Sequence, residues 1–164
     1  MPIGVFSDVH DNLVNLDRAL AAFRDAGATT LLFCGDFCSP IPSRAMGAYP
    51  GVVHCVFGNG DGDRYRILSA ASEAPDSALR LHGEHAVLTL EERRVALTHF
   101  PLYGRALART GDYDAVFSGH THERLEERFG SALWVNPGEV LGWKGHPSVF
   151  LWDPVRNAGD FLDL

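Results

Sequence analysis

The amino-acid sequence predicts an α/β protein made of two packed mixed β-sheets with helices outside, and three observations carry that prediction. Short apolar runs at residues 3–7, 29–34 and 52–57 alternate with helical segments, the pattern of parallel strands joined by right-handed crossovers. In the second half, the runs 86–90 and 95–98 flank Glu91-Glu92-Arg93-Arg94 with no room for a crossover helix. Antiparallel pairing therefore enters as a hairpin. At 164 residues, 46% hydrophobic and 21% charged, the chain suits one domain over 1–164 with a substantial core, and disorder, collagen-like repeats and coiled coil drop out.

Each element has a local reason. Ile3-Gly4-Val5-Phe6-Ser7 is β-prone and gives way to the turn-like Asp8-Val9-His10-Asp11-Asn12. Leu13, Leu16, Leu20 and Phe23 then recur at helical spacing, with Asp11 or Asn12 as N-cap and Gly27 where a left-handed residue stops a helix. Residues 29–34 make the second strand, closed by Gly35-Asp36, and the Pro-bearing stretch to Pro50 holds a short helix starting near Pro42. The third strand, 52–57, is closed by Gly58-Asn59. After the hairpin come a short helix over 103–109, a strand over 115–118, and strand-like pieces at 133–135, 149–152 and 161–162.

Charge and composition narrow the partners. Fourteen Lys and Arg against 21 Asp and Glu give −7, a field that repels nucleic acid and anionic membranes. An anionic substrate must therefore meet a local positive charge. No run of ~18 apolar residues exists, and the first residues lack the basic-then-apolar pattern of a secretory leader, so a cytoplasmic protein is expected. Cys34, Cys38 and Cys55 are an odd count, two of them within apolar runs, which argues against a disulfide scaffold. An apolar edge on the second sheet is a candidate surface for a homo-oligomer.

Every strand end in the first half carries a group able to bind metal: Asp8 and His10, then Asp36, then Asn59. His99 follows the hairpin, and His120 with His122 follow the strand at 115–118. Strand carboxyl ends line the ligand crevice in such sheets, so seven candidate ligands converge on one edge. The pairs Asp8/His10 and His120/His122 are spaced i,i+2, which in an extended segment points both side chains to one face. Gly35, Gly58 and Gly119 each precede a candidate ligand, where a missing side chain permits a sharp turn and close approach. Singly, these signals are ordinary capping and turn chemistry; the ordered set, mixing imidazole with carboxylate, points to a metal site.

Asp8-x-His10, Gly35-Asp36, Gly58-Asn59-x-Asp61, His99 and Gly119-His120-x-His122, in that order, resemble the calcineurin-like metallophosphoesterases. Chain length and the hairpin point to the small single-domain branch of YfcE-type phosphodiesterases, and Asn136-Pro137-Gly138 matches that branch's late motif. The resemblance implies a four-layer α/β/β/α sandwich and two divalent ions, Mn by preference, with Zn, Fe or Ni suited to the same donors. One ion would be held by Asp8, His10, Asp36 and His122, the other by Asp36, Asn59, His99 and His120, with Asp36 bridging. Asp36, Asn59 and His99 would be the catalytic members. The implied activity is hydrolysis of a small phosphodiester by a metal-bridging hydroxide. Two ions, two carboxylates and that hydroxide leave a charge of about +1, enough to attract a diester monoanion to an acidic chain. The alternatives are phosphomonoester hydrolysis and a weakly active scaffold like the retromer subunit that keeps this fold.

The sequence also departs from the family pattern. Gly60 stands where relatives carry His or Cys, so no side chain remains there to give the leaving group a proton, and Asp61 is left to orient a loop. Phe100-Pro101 follows His99 where Gly is frequent, making a bulkier wall. Glu139 follows Gly138 where Ser is common, a change the sequence does not explain. His54, His82, His85 and His146 lie off the strand-end pattern and suit surface or packed roles. Trp134, Trp143 and Trp152 suit core and edge packing, and Arg124 with Arg128 read as solvated charge. Asn59-Gly60-Asp61-Gly62-Asp63 resembles a calcium loop but lacks its glycine and closing glutamate.

Overall fold

Side-chain alternation in the first strand, β1 (Ile3–Phe6), sets the layering. Ile3 and Val5 enter a core shared with the second sheet, whereas Phe6 packs among Leu16, Leu20 and Phe23 of the first helix, as a period of two requires. Gly4 shares that helix-facing side because a Cβ there would meet Phe23 and Leu31 carbons at 2.6 Å.

The computed structural model describes residues 1–72 and 76–164. After β1 come α1 (Leu13–Asp25), β2 (Thr30–Phe33), α2 (Pro40–Gly47), β3 (Val52–Cys55), α3 (Arg64–Ser72) and β4 (Leu79–Leu81). The second half runs β5 (His85–Leu90), β6 (Arg93–Thr98), α4 (Pro101–Ala108), β7 (Ala115–Phe117), β8 (Arg124–Phe129), β9 (Ala132–Pro137), β10 (Ser148–Asp153) and β11 (Ala158–Asp163). One sheet has the order β11-β10-β1-β2-β3-β4 and the other β5-β6-β7-β9-β8. Strands β1 to β4 pair parallel, as do β6, β7 and β9, and the remaining pairings are antiparallel.

The layers are α1–α3, the first sheet, the second sheet and α4. Leu32, Cys34 and Val56 meet Val95, Leu97, Phe117, Leu133 and Val135 between the sheets. Outside the first sheet, Leu31 and Phe33 pack with Phe23, Met46 and Ile67; outside the second, Ala96, Val116 and Trp134 pack with Ala108. Each fully buried Leu or Phe contributes about 1.5–3 kcal/mol. This is the α/β/β/α sandwich that the sequence predicts.

Capping follows the expected chemistry. Asn12 caps α1, its side-chain oxygen accepting from Asn15 N–H at 3.1 Å, and Gly27 takes φ +72° just beyond it. Helices α2 and α4 start at Pro40 and Pro101, each about two residues before the expected position, because Pro is suited to the first helical turn.

Three elements have no counterpart in the sequence reading: α3, β4 and β8. Strand β4 is three residues long, and among the described residues of α3 only Ile67 and Ala70 are buried. Arg124 and Arg128 belong to β8, a charged edge strand whose Leu125 and Phe129 pack on the Trp134 cluster; charge on such an edge discourages pairing with another chain. Trp134 and Trp152 are core residues, but Trp143 is 76% exposed. Among the described residues the three cysteines are free thiols, and no helix is long and apolar enough to cross a membrane.

Candidate metal centre

The loops at the carboxyl ends of β1, β2, β3, β6 and β7 meet at one edge of the sandwich, tied by their own backbones. Asp8 N–H donates to Gly35 O at 3.0 Å, while Val9 and His10 N–H both donate to Asp36 O at 3.1 Å. Gly119 N–H donates to His99 O at 3.0 Å, and His120 N–H donates to Asp8 Oδ2 at 3.0 Å. That last bond joins the two sheets. Asn136 braces the same corner, donating to Gly119 O at 2.7 Å and Thr121 Oγ1 at 2.9 Å.

These turns are left-handed rather than extended. Asp8, His10, Asp36, His120 and His122 have φ between +44° and +74°, a region non-glycine residues seldom occupy and one that collects at functional sites. The i,i+2 pairs thus converge by turning the chain, not by strand alternation. The preceding glycines contribute space. A Cβ on Gly58 would lie 2.0 Å from Asp36 Oδ1, and one on Gly119 would lie 1.9 Å from Ser7 Oγ.

All seven residues singled out in the sequence come together. His122 Nε2 lies 3.3 Å from Asp8 Oδ1, which is 3.7 Å from His10 Nε2. Asp36 Oδ2 stands 3.4 Å from His10 Nε2 on one side and 3.5 Å from His99 Nε2 on the other. Asn59 Oδ1 faces His99 Nε2 at 3.0 Å and His120 Nδ1 at 2.7 Å. Asp8, Asp36 and His99 form a buried floor, and Asn59 and His120 an exposed rim.

The donor set fits a cation. Asp8 Oδ1 and His10 Nε2 are buried without a hydrogen-bond partner, a costly arrangement unless something else engages them. Two subsets, Asp8/His10/His122 and Asp8/Asp36/His99, each bring their ligand atoms within 4.8 Å of one another. Burial pushes the Asp8 carboxyl up, but His10, His99 and His122 beside it hold it below its usual value. The Asp8 carboxylate in turn raises His10, against burial.

Supporting groups fix the ring orientations. His99 Nδ1 lies 2.8 Å from the Cys34 carbonyl oxygen and His10 Nδ1 3.0 Å from Cys38 Sγ. Burial, then Asp36 and other nearby acids, push the Cys38 thiol up to about 11, so it stays protonated. Asp61 orients the loops, accepting from Gly58 N–H at 2.7 Å, Cys38 N–H at 3.0 Å and Asp36 N–H at 3.3 Å. Phe100 is the expected wall, its ring 5.2 Å from His99 and 5.5 Å from His120.

Two residues that the sequence marks as departures have roles it does not reveal. Gly60 acts through its backbone, donating N–H to Asp36 Oδ1 at 2.7 Å; no side-chain signal could mark it. Glu139, 1% exposed, lies 2.6 Å from His122 Nδ1 through Oε2. A carboxylate directly after Asn136-Pro137-Gly138 was its only signal. His54 and His82 pair with each other at 2.9 Å and belong to neither candidate metal group.

Known proteins share this chain's features. Residues 1–156 match the model of the calcineurin-like phosphoesterase superfamily domain. The chain is 29% identical to phosphodiesterase MJ0936 of Methanocaldococcus jannaschii over 95% of both chains. It is 30% identical to phosphodiesterase YfcE of Escherichia coli, covering 85% of this chain and 79% of that one. The solved structure of an archaeal phosphodiesterase superposes with a TM-score of 0.88 at 27% identity, over 100% of both chains.

Proposed function

From the premise that this chain belongs to the calcineurin-like phosphoesterase superfamily, we propose that it hydrolyses small phosphodiesters at a centre of two divalent cations. Asp8, His10, Asp36 and His122 would hold one ion and Asp36, Asn59, His99 and His120 the other, with Mn²⁺ suited to both. When bound, such a pair supplies Lewis acidity and an activated water for in-line displacement. The name phosphodiesterase carried by MJ0936 and YfcE supports a diester over a monoester. The net charge of −7 disfavours nucleic acid and anionic membranes as substrates, and the proposed site of action is the cytoplasm.

The observation that carries the reading is the position of Asp36 Oδ2, 3.4 Å from His10 Nε2 and 3.5 Å from His99 Nε2. One oxygen there is within reach of both ligand sets. Its partner Oδ1 is engaged by Gly60 N–H, which orients the carboxylate. Asn59 and the imidazoles supply neutral ligands, so Asp8 and Asp36 are the only carboxylates among the seven proposed ligands and offset only part of the charge of two divalent ions. The Phe100 ring beside His99 and His120 shields one flank from water.

The test is turnover of bis-p-nitrophenyl phosphate with added Mn²⁺ by the wild type and by Asp36→Asn, with metal counted by mass spectrometry. Expected are about two ions per chain and turnover in the wild type alone. A wild type that binds metal yet turns over nothing would replace the enzyme with a binding scaffold of the same fold.

A further inference from the structure

Resting on the metal-centre reading above, we propose that Glu139 is a positioning residue that sets the tautomer of His122, keeping the proton on Nδ1 so that the Nε2 lone pair faces the first metal position. Nothing in the ligand pattern itself requires an acid here. The geometry supplies the reason.

Glu139 is 1% exposed, so its charge must be compensated locally. One carboxylate oxygen, Oε1, accepts from the backbone N–H of Lys144 at 2.5 Å and of Gly145 at 3.1 Å. Those donors cannot reverse roles, and they fix Oε1 as an acceptor. The other oxygen, Oε2, lies 2.6 Å from His122 Nδ1. An ionised carboxylate only accepts, so Nδ1 must donate. In the neutral ring His122 Nε2 is then the unprotonated nitrogen; it lies 3.3 Å from Asp8 Oδ1, on the side facing His10, whose ring centroid is 5.1 Å away.

The other rings are held differently. His10 meets a thiol, His99 a backbone carbonyl, and His120 turns its own Nδ1 inward toward Asn59. Among the four, His122 is the one whose rear nitrogen faces a carboxylate. A carboxylate behind a ligating imidazole fixes the ring and raises its basicity, and removing such a partner typically costs ~10–100-fold in metal affinity. Glu139 therefore strengthens the first metal position selectively.

The isosteric Glu139→Gln separates this role from packing. Lys144 and Gly145 still require an oxygen at the Oε1 position, so the amide NH₂ is forced toward His122 Nδ1. Nδ1 must then accept, and the proton moves to Nε2, blocking the ligand atom. Long-range ¹H–¹⁵N spectra of the metal-free protein at about pH 9, where imidazoles are neutral, read the tautomer directly. Expected is Nδ1–H in the wild type and Nε2–H in Glu139→Gln. Calorimetric Mn²⁺ titration should show the first site ~10–100-fold weaker in the variant with the second unchanged. Glu139→Ala, which removes the acceptor without presenting a donor, should weaken the same site without imposing the Nε2–H form.

An unchanged His122 tautomer in Glu139→Gln, or metal affinities within about twofold of wild type, would overturn the assignment. A wild type that takes up no metal while the tautomer still switches would sink the phosphoesterase reading instead, leaving the Glu139–His122 relationship in place.

Discussion

The backbone N–H of Gly60 donates to Asp36 Oδ1 at 2.7 Å, leaving Asp36 Oδ2 to stand between His10 and His99. The contact is close enough that an added side chain would press on it. A Cβ on Gly60 would lie 3.0 Å from Asp36 Oδ2 and 3.1 Å from Cγ. Carbon would thus press on the oxygen proposed to be shared by both ions.

Adding that carbon should therefore disturb catalysis before it disturbs folding. Gly60→Ala is expected to lower kcat/KM about tenfold, since sub-ångström misplacement of a catalytic group is costly, with the thermal midpoint little changed. Gly60→His should fare no better, despite restoring an imidazole. Parallel kinetics on the two variants check this; a histidine variant faster than wild type would show that position 60 accepts a proton donor without moving Asp36.

Leaving-group dependence follows from the same glycine. With no protonatable side chain at position 60, departure of an alkoxide gains no help there, and a positioned general acid is typically worth ~10²–10⁴ in rate. Diesters of p-nitrophenol should outpace otherwise matched diesters of phenol by at least about 10²-fold. Equal rates for the two would reveal a proton donor elsewhere in the site.

Asp61 holds the loops on which these contacts depend. It is 6% exposed and accepts from the N–H groups of Asp36, Cys38 and Gly58. Asp61→Ala leaves those donors without an acceptor, and each buried unsatisfied group costs ~1–3 kcal/mol. A loss of about 3 kcal/mol or more in urea unfolding is expected. A loss under about 1 kcal/mol would mean that water takes over the role.

How much of this was legible in the sequence depends on where each residue's signal resides. The seven candidate ligands could be read because they are polar groups interrupting apolar strands at their carboxyl ends, and strand ends in a parallel sheet converge whatever the loop conformation. The means of convergence could not be read: Asp8, His10, Asp36, His120 and His122 are left-handed, a conformation imposed by the tertiary hydrogen bonds of their loops, not by their identities. Strand β8 was hidden because Arg124, Glu126, Glu127 and Arg128 mask the apolar pair Leu125 and Phe129. Glu139 was visible but unexplained, since its partners Lys144 and Gly145 meet it only after the chain turns back. The charge count of about +1 also omitted it, because a carboxylate behind a ligand is invisible to ligand counting.

The histidines off the ligand pattern should govern stability in mild acid. His54 Nδ1 and His82 Nε2 are 2.9 Å apart with their rings stacked at 5.1 Å. Burial, followed by His82 and Arg80, pushes His54 down from 6.5 to about 4, and burial also lowers His82. Between those two pH values the unfolded chain binds a proton at His54 that the folded chain refuses, so stability falls as pH drops through the window. Below about 4 both states are protonated and this contribution has been lost in full. His54→Gln removes the titration while keeping a polar side chain. The difference in urea midpoint between wild type and His54→Gln should therefore shift steadily against the wild type from about pH 6.5 to about pH 4 and level off below. Subtracting the two curves cancels the protonation of carboxylates and of His10, which occurs in both proteins. A difference that stays constant across the window would show that the folded protein admits the proton at His54, and hence that the His54–His82 pair opens without cost.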